Sequence, residues 1–192
     1  MAKSAALPLL LTFFLFSQVN IAISNPAAGA APQPINILAI LQKAGRFSTF
    51  IRLLNQTQLA SQINNHVNAN SYGGLTVFAA TDTAFRNLPA GTLNGLTTQE
   101  LVQLVLYHIV PRFYTIKTLA TTRSPVRTQA TGRGGRILVL YFSGKANQKQ
   151  VNVSTGVVRT TIYKPLTTRS PLAVYQLDKV LWTSQFGLSK EF

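Results

Sequence analysis

Apolar residues recur every three to four positions from Ile35 onward. Ile37, Leu38, Leu41 and Ala44 fall on one helical face, and Gly45 interrupts it. Phe47, Phe50, Ile51 and Leu54 continue with the same period, and Leu59 and Ile63 open a third short helix that fades into the polar run Asn64–Ser71. The pattern then changes. Leu75–Ala80 (LTVFAA) is short and apolar and follows Gly73-Gly74, which predicts a buried strand. Thr81-Asp82 offers N-cap side chains to a short helical turn carrying Ala84 and Phe85. Asp82 is expected to cap Thr83–Leu88, and Pro89-Ala90-Gly91 stops that turn. Thr97-Thr98-Gln99-Glu100 is a capping box, in which hydroxyl and carboxylate each reach the other residue's N–H. The helix it opens puts Leu101, Leu104, Val105 and His108 on one face and should end near Pro111, because the residue before a proline is pushed out of the α region.

The second half is mostly strand. Arg112–Thr118 leaves the helix with Phe113, Tyr114 and Ile116. Val126–Gln129 and Ile137–Phe142 (ILVLYF) are the next two strands, and Gly144–Gln148 is a polar turn. Gln150–Thr155 alternates, with Val151 and Val153 on one face. Gly156–Tyr163 is another strand, and Leu172–Trp182 closes the domain, with the apolar Val180-Leu181-Trp182 at its end. A helical N-terminal half followed by strands predicts an α+β fold.

Residues before Ile35 have a different character. Met1–Ser24 has Lys3, an apolar run Leu7–Phe16 and small residues before Asn25, the pattern of a secretory signal peptide cleaved between Ser24 and Asn25. That run is too short to favour a spanning helix, so no transmembrane segment is expected in the mature chain. Residues 25–34 form an Ala/Pro-rich leader, in which Pro32 is a candidate hydroxyproline. The domain is expected over 35–184, with a short tail at 185–192.

Charge narrows the chemistry. Eighteen Lys and Arg face only four acids, Asp82, Glu100, Asp178 and Glu191, for a net charge of +14 over 192 residues. Removing Met1–Ser24 takes Lys3 and leaves +13. Such a chain attracts polyanions, whether acidic polysaccharide, membrane or nucleic acid. Two of the acids already have capping positions, which leaves little for carboxylate catalysis or an oxygen-ligand metal site. The densest basic group is Arg123, Arg127, Arg133 and Arg136, and its TGRGGR segment fits a polar hairpin loop better than a single RNA-binding repeat. There is no cysteine, which excludes thiol catalysis, zinc fingers and CxxCH haem attachment. His108 lies on an apolar helix face and fits a buried neutral imidazole holding one or two hydrogen bonds. His66 sits in a polar run and is expected to be solvated. The two histidines have no metal-ligand spacing, and no cofactor or metal site is expected. Asn55-Gln56-Thr57 and Asn152-Val153-Ser154 are N-glycosylation sequons, which makes Asn55 and Asn152 candidate modification sites.

Three blocks carry a family resemblance. TVFAATDTAF (Thr76–Phe85) resembles the first conserved block of the fasciclin (FAS1) domain, with Ala80 in place of the usual proline. VLYHIVP (Val105–Pro111) resembles its central Tyr-His motif on Tyr107 and His108, and LAVYQLDKVL (Leu172–Leu181) resembles its last block. The resemblance runs from about Ile35 to Trp182 and is nearest to the plant fasciclin-like arabinogalactan proteins. It implies a single FAS1 domain, with a helical N-terminal half packed on a β-wedge of mostly C-terminal strands. It also implies no enzyme activity, a secreted adhesion or matrix role in plant cell walls, and participation in secondary wall formation. On that resemblance Thr81, Asp82, Tyr107 and His108 are candidate adhesion or structural residues, and Asp178-Lys179 is a strand-end pair. Two departures stand out: the only Ala/Pro-rich region is the short leader, and QFGLSKEF lacks the apolar tail of a GPI signal. The expected partner is an acidic wall polysaccharide such as pectin, or a matrix glycoprotein, in the apoplast. A basic nucleic-acid-binding protein and a secreted hydrolase with an unrecognised site are the alternatives. The secretory signal and sequons oppose the first, and no G-x-S-x-G elbow supports the second.

Overall fold

Three short helices lead the fold: α1 (Ile37–Ala44), α2 (Ser48–Gln56) and α3 (Leu59–Asn68). They are seen in a computed structural model that describes residues 33–69, 73–144, 150–162 and 165–186. The Asn36 side chain caps α1 by accepting from the Leu38 and Ala39 N–H groups. Gly45 closes it at φ 73°, a conformation that costs glycine least. The predicted periodicity is what these helices bury: Ile37 and Leu41 from α1, Phe50, Leu53 and Leu54 from α2, and Ile63 and Val67 from α3.

Among the described residues the strands form two four-stranded sheets. The first has the order β2-β1-β8-β7, with β1 at Leu75–Ala80, β2 at Ile109–Val110, β7 at Pro165–Arg169 and β8 at Leu172–Leu177. Strands β1 and β8 run parallel through six pairs, from Leu75 opposite Leu172 to Ala80 opposite Leu177. All six residues of β1 are buried, as an uninterrupted apolar run requires of a strand covered on both faces. At its start Gly74 adopts φ 62° against the Pro171 carbonyl, which a Cβ at position 74 would strike.

The second sheet is wholly antiparallel, in the order β3-β4-β5-β6. Its strands are β3 (Val126–Thr131), β4 (Ile137–Gly144), β5 (Val151–Ser154) and β6 (Arg159–Ile162). Burial alternates along each of them, and the inner face contributes Leu138, Leu140, Phe142, Val151, Val153 and Ile162 to the core. The TGRGGR segment is the β3–β4 hairpin loop, with a short 3-10 turn at Arg133–Gly135.

Three further helices are seen among the described residues: α4 (Asp82–Arg86), α5 (Thr98–Tyr107) and α6 (Ile116–Thr121). The Thr97–Glu100 capping box forms as expected. Several expectations change. Helix α5 stops at Tyr107 rather than near Pro111, because Ile109 and Val110 leave it to pair with Val77 and Thr76 of β1. Ile116–Thr121 is helical, capped by a second box in which the Thr115 and Thr118 hydroxyls serve each other's N–H. Strand β7 was not anticipated, since PLTTR has no apolar alternation. Strand β8 ends at Leu177, although Val180, Leu181 and Trp182 remain buried beyond it.

The compact unit also runs past residue 184. Gln185 accepts a hydrogen bond from the Arg133 N–H at 3.0 Å, and Phe186 packs edge-on to Tyr107 and Trp182. The expected cleavage at Ser24–Asn25, the Pro32 position and most of the Gly144–Gln148 turn lie outside the described residues. Among the described residues no helix is long and apolar enough to cross a membrane.

Candidate functional site

The polar residues singled out in the sequence gather where β1 meets α4 and where α5 meets β2. Thr81 caps α4 by accepting from the Ala84 N–H at 3.2 Å. Asp82 does not cap that helix. Its carboxylate turns to the start of α2, where it accepts from the Ser48 N–H at 3.1 Å and the Thr49 N–H at 2.7 Å. Phe47, the residue before α2, makes no side-chain cap, so Asp82, 33 positions beyond Thr49, fills that role. Partial burial pushes the Asp82 carboxyl up, but the bonds from Thr49 and Ser48 outweigh it and hold the group below its usual value.

His108 is 1% exposed, and both ring nitrogens are occupied. Nε2 accepts from the Leu181 N–H at 3.0 Å, so Nδ1 carries the proton and donates to the Leu104 carbonyl at 2.8 Å. Burial pulls its pKa down to about 4, against a smaller upward push from the Leu104 bond. The Phe50 ring stands 5.7 Å away, centroid to centroid. A neutral imidazole with no free nitrogen and no access to water is a structural clamp, and it has nothing to offer a substrate as base or nucleophile. Tyr107 is also buried and donates its hydroxyl to the Val139 carbonyl at 3.0 Å, which ties α5 to β4. Burial, first, and the neighbouring Tyr141 raise its pKa above the ordinary phenol value.

Thr81, Asp82, Tyr107 and His108 thus spend their polar atoms on joints between elements. The partners that make this so, the Leu181 N–H and the N–H groups of Ser48 and Thr49, are backbone groups distant in sequence and carry no side-chain signal. Asp178 accepts from the Gln176 amide at 3.0 Å. His66 is only half exposed, on α3, with its Nε2 buried, because Asn64–Asn68 belong to that helix instead of entering solvent. Among the described residues no cluster of acids and histidines could hold a metal ion.

The sequon asparagines are both exposed. Asn55 lies in the last turn of α2, and Asn152 projects from β5, accepting from the Thr161 hydroxyl at 2.7 Å. One surface escaped the sequence reading. Ile137, Tyr141 and Val157 are the large hydrophobic side chains left exposed among the described residues, and all three belong to the second sheet or its β5–β6 turn. The alternation of ILVLYF carried the signal for this, since its odd-numbered positions had to face away from the core.

Comparison with known proteins agrees with this architecture. A family model described as "Fasciclin domain" matches residues 45–183. Fasciclin-like arabinogalactan protein 13 of Arabidopsis thaliana is 51% identical over 193 residues, covering 99% of this chain and 76% of the relative. Fasciclin-like arabinogalactan protein 6 of the same plant is 46% identical over 173 residues, covering 90% and 70%. Among solved structures, a FAS1 domain pair from the insect cell adhesion molecule Fasciclin I superposes with a TM-score of 0.53 at 15% identity. It covers 72% of this chain, which in turn spans 46% of that one, and it supports the fold alone. With a family match over most of its length and plant relatives near half identity, the chain belongs to the fasciclin (FAS1) domain family and is similar there to the fasciclin-like arabinogalactan proteins.

Proposed function

We propose that this chain is a secreted, non-enzymatic glycoprotein of the plant cell wall that binds acidic wall polysaccharide and takes part in adhesion and secondary wall assembly. The observation that carries this reading is the charge imbalance. Without Lys3 of the expected signal peptide, seventeen Lys and Arg stand against four acids in a chain whose relatives are named for arabinogalactan and, in the insect structure, for cell adhesion. At least two of the acids are committed to helix caps, so the outer surface is left strongly cationic. De-esterified pectin, a polymer of carboxylates, is the ligand class such a surface suits. Asn55 and Asn152 are the proposed glycan attachment points, and the exposure of both supports this.

The test is binding of the secreted protein to polygalacturonate across a salt series. The Debye length falls from about 10 Å at 0.1 M to about 3 Å at 1 M, so affinity should drop steeply. Binding unchanged at high salt would remove the ionic account. Treatment with an N-glycosidase should lower the mass of the secreted protein, and an unaltered mass would remove the glycan assignment.

A further inference from the structure

The outer face of the second sheet is uncovered and has a definite composition. In β4, Ile137 and Tyr141 are 48% and 46% exposed, with Val139 half-buried between them. The strand register sets their neighbours. Arg127 of β3 lies opposite Val139, Tyr141 lies opposite Ser154 of β5, and Ser154 lies opposite Arg159 of β6. Arg127 and Arg159 are both exposed. Tyr141 is therefore flanked across the sheet by an arginine on each side. The two edge strands are separated by three strand spacings, about 14 Å at roughly 4.8 Å each.

The stretch of chain that contains this sheet is one-sided in charge. From Glu100 to Asp178 the chain contains no acidic residue between those two, yet it carries eleven of the eighteen Lys and Arg. Of these eleven, Arg127 and Arg159 lie on the two edge strands and Arg133 and Arg136 at the β3–β4 loop. An exposed apolar strip rimmed by polar residues is the mark of an interaction surface, and here the flanking charge specifies its occupant.

Resting on the polysaccharide reading above, we infer that this face is the binding site for a uronate-bearing polysaccharide, with Tyr141 as the stacking platform and Arg127 and Arg159 as carboxylate anchors. The C–H face of a pyranose ring is apolar with a slight positive charge, and it lies well on the negative face of a phenol ring. The guanidinium fork matches a carboxylate in two parallel hydrogen bonds, which an ester cannot accept as an anion. A flat, twisted sheet face with an aromatic in the middle and cations on either side suits an extended polymer laid across the strands. Asn152 opens on the same face, beside Ser143 and Thr161 in the next row, so a glycan there would border the strip.

The test compares full-length variants for binding to polygalacturonate at low ionic strength, with fully methyl-esterified pectin as the uncharged counterpart. Tyr141→Ala and the double variant Arg127→Gln/Arg159→Gln should each weaken polygalacturonate binding by about tenfold, while Tyr141→Phe retains it. The charge-matched control Lys43→Gln/Arg52→Gln, exposed on α1 and α2, should change binding by less than about twofold. Thermal unfolding of each variant confirms that the fold is kept. If the wild type binds but the face and control doubles lose affinity equally, the charge acts diffusely and the site is wrong while the functional reading stands. If the wild type binds no polygalacturonate, both fall. Tighter binding of single-stranded DNA, lost in the same variants, would assign the face to another polyanion and overturn the inference.

Discussion

The two sheets have the same number of strands but are built on opposite rules. In the first, β1 and β8 are apolar at nearly every position and buried on both faces. In the second, burial alternates residue by residue, and half of each strand looks outward. A strand enclosed between layers can vary only within the limits of core packing, whereas an alternating strand leaves every second position unconstrained by it. The first sheet is where the family blocks lie, and the second is where an alternating face, with Arg127 and Arg159, is turned to solvent. Blocks that look conserved in pattern, down to the Tyr-His pair, are thus read more simply as the requirements of a shared core.

That contrast can be broken at several points. Phe78 sits at the centre of β1 with 0% exposure, stacked on Tyr175 and near Phe142. Phe78→Ala should cost about 3–5 kcal/mol by denaturant unfolding. A loss under 1 kcal/mol would mean that the first sheet is not the rigid one.

His108 gives the next largest effect, and it has a sign. Its folded pKa of about 4 lies below the ordinary 6.5, so the unfolded chain binds the proton more readily between those values. The stability it allows is fully present above pH 6.5 and is lost as pH falls toward 4, on the order of 3 kcal/mol over the window. A His108→Gln protein should be weaker at neutral pH and flatter across the same range. Parallel stability curves for the two proteins would remove this assignment.

Asp82→Ala should cost about 1 kcal/mol, the ordinary value of a lost helix cap, even though α4 keeps its own cap at Thr81. Hydrogen exchange should show the change at Ser48 and Thr49, not at Ala84; protection lost at Ala84 would return Asp82 to the role its position in sequence suggested. Smallest of all, Tyr141→Ala should alter stability by no more than about 0.5 kcal/mol, as for other surface positions. A large loss of stability there would mean that the outer face of the second sheet is a packing surface.

Local signals were legible, and long-range ones were not. Helices α1 to α3, strand β1 and the Thr97–Glu100 box follow from periodicity and capping within a few residues. Helix α6 was missed because Phe113, Tyr114 and Ile116 look like a strand, while its T-x-x-T box is a weaker form of the usual signal. Strand β7 forms because β8 offers it a ladder, and nothing in PLTTR itself calls for one. The same holds for the polar residues: Asp82 and Thr81 are adjacent in the chain, and only the fold decides that one serves α4 and the other α2. The burial of His108 was visible from its helical face, but its Leu181 partner is 73 residues away.

The parallel pairing of β1 with β8 has a mechanical consequence. Tension drawn along the chain reaches β1 at its N-terminal end, through Leu75, and β8 at its C-terminal end, beyond Leu177. In parallel strands those are opposite ends, so the pull slides one strand along the other. The six-residue ladder is then loaded in shear, and its hydrogen bonds must yield together instead of opening one after another as in a zipper. A central pair loaded in this way is suited to resisting a pull on the chain that flanks it.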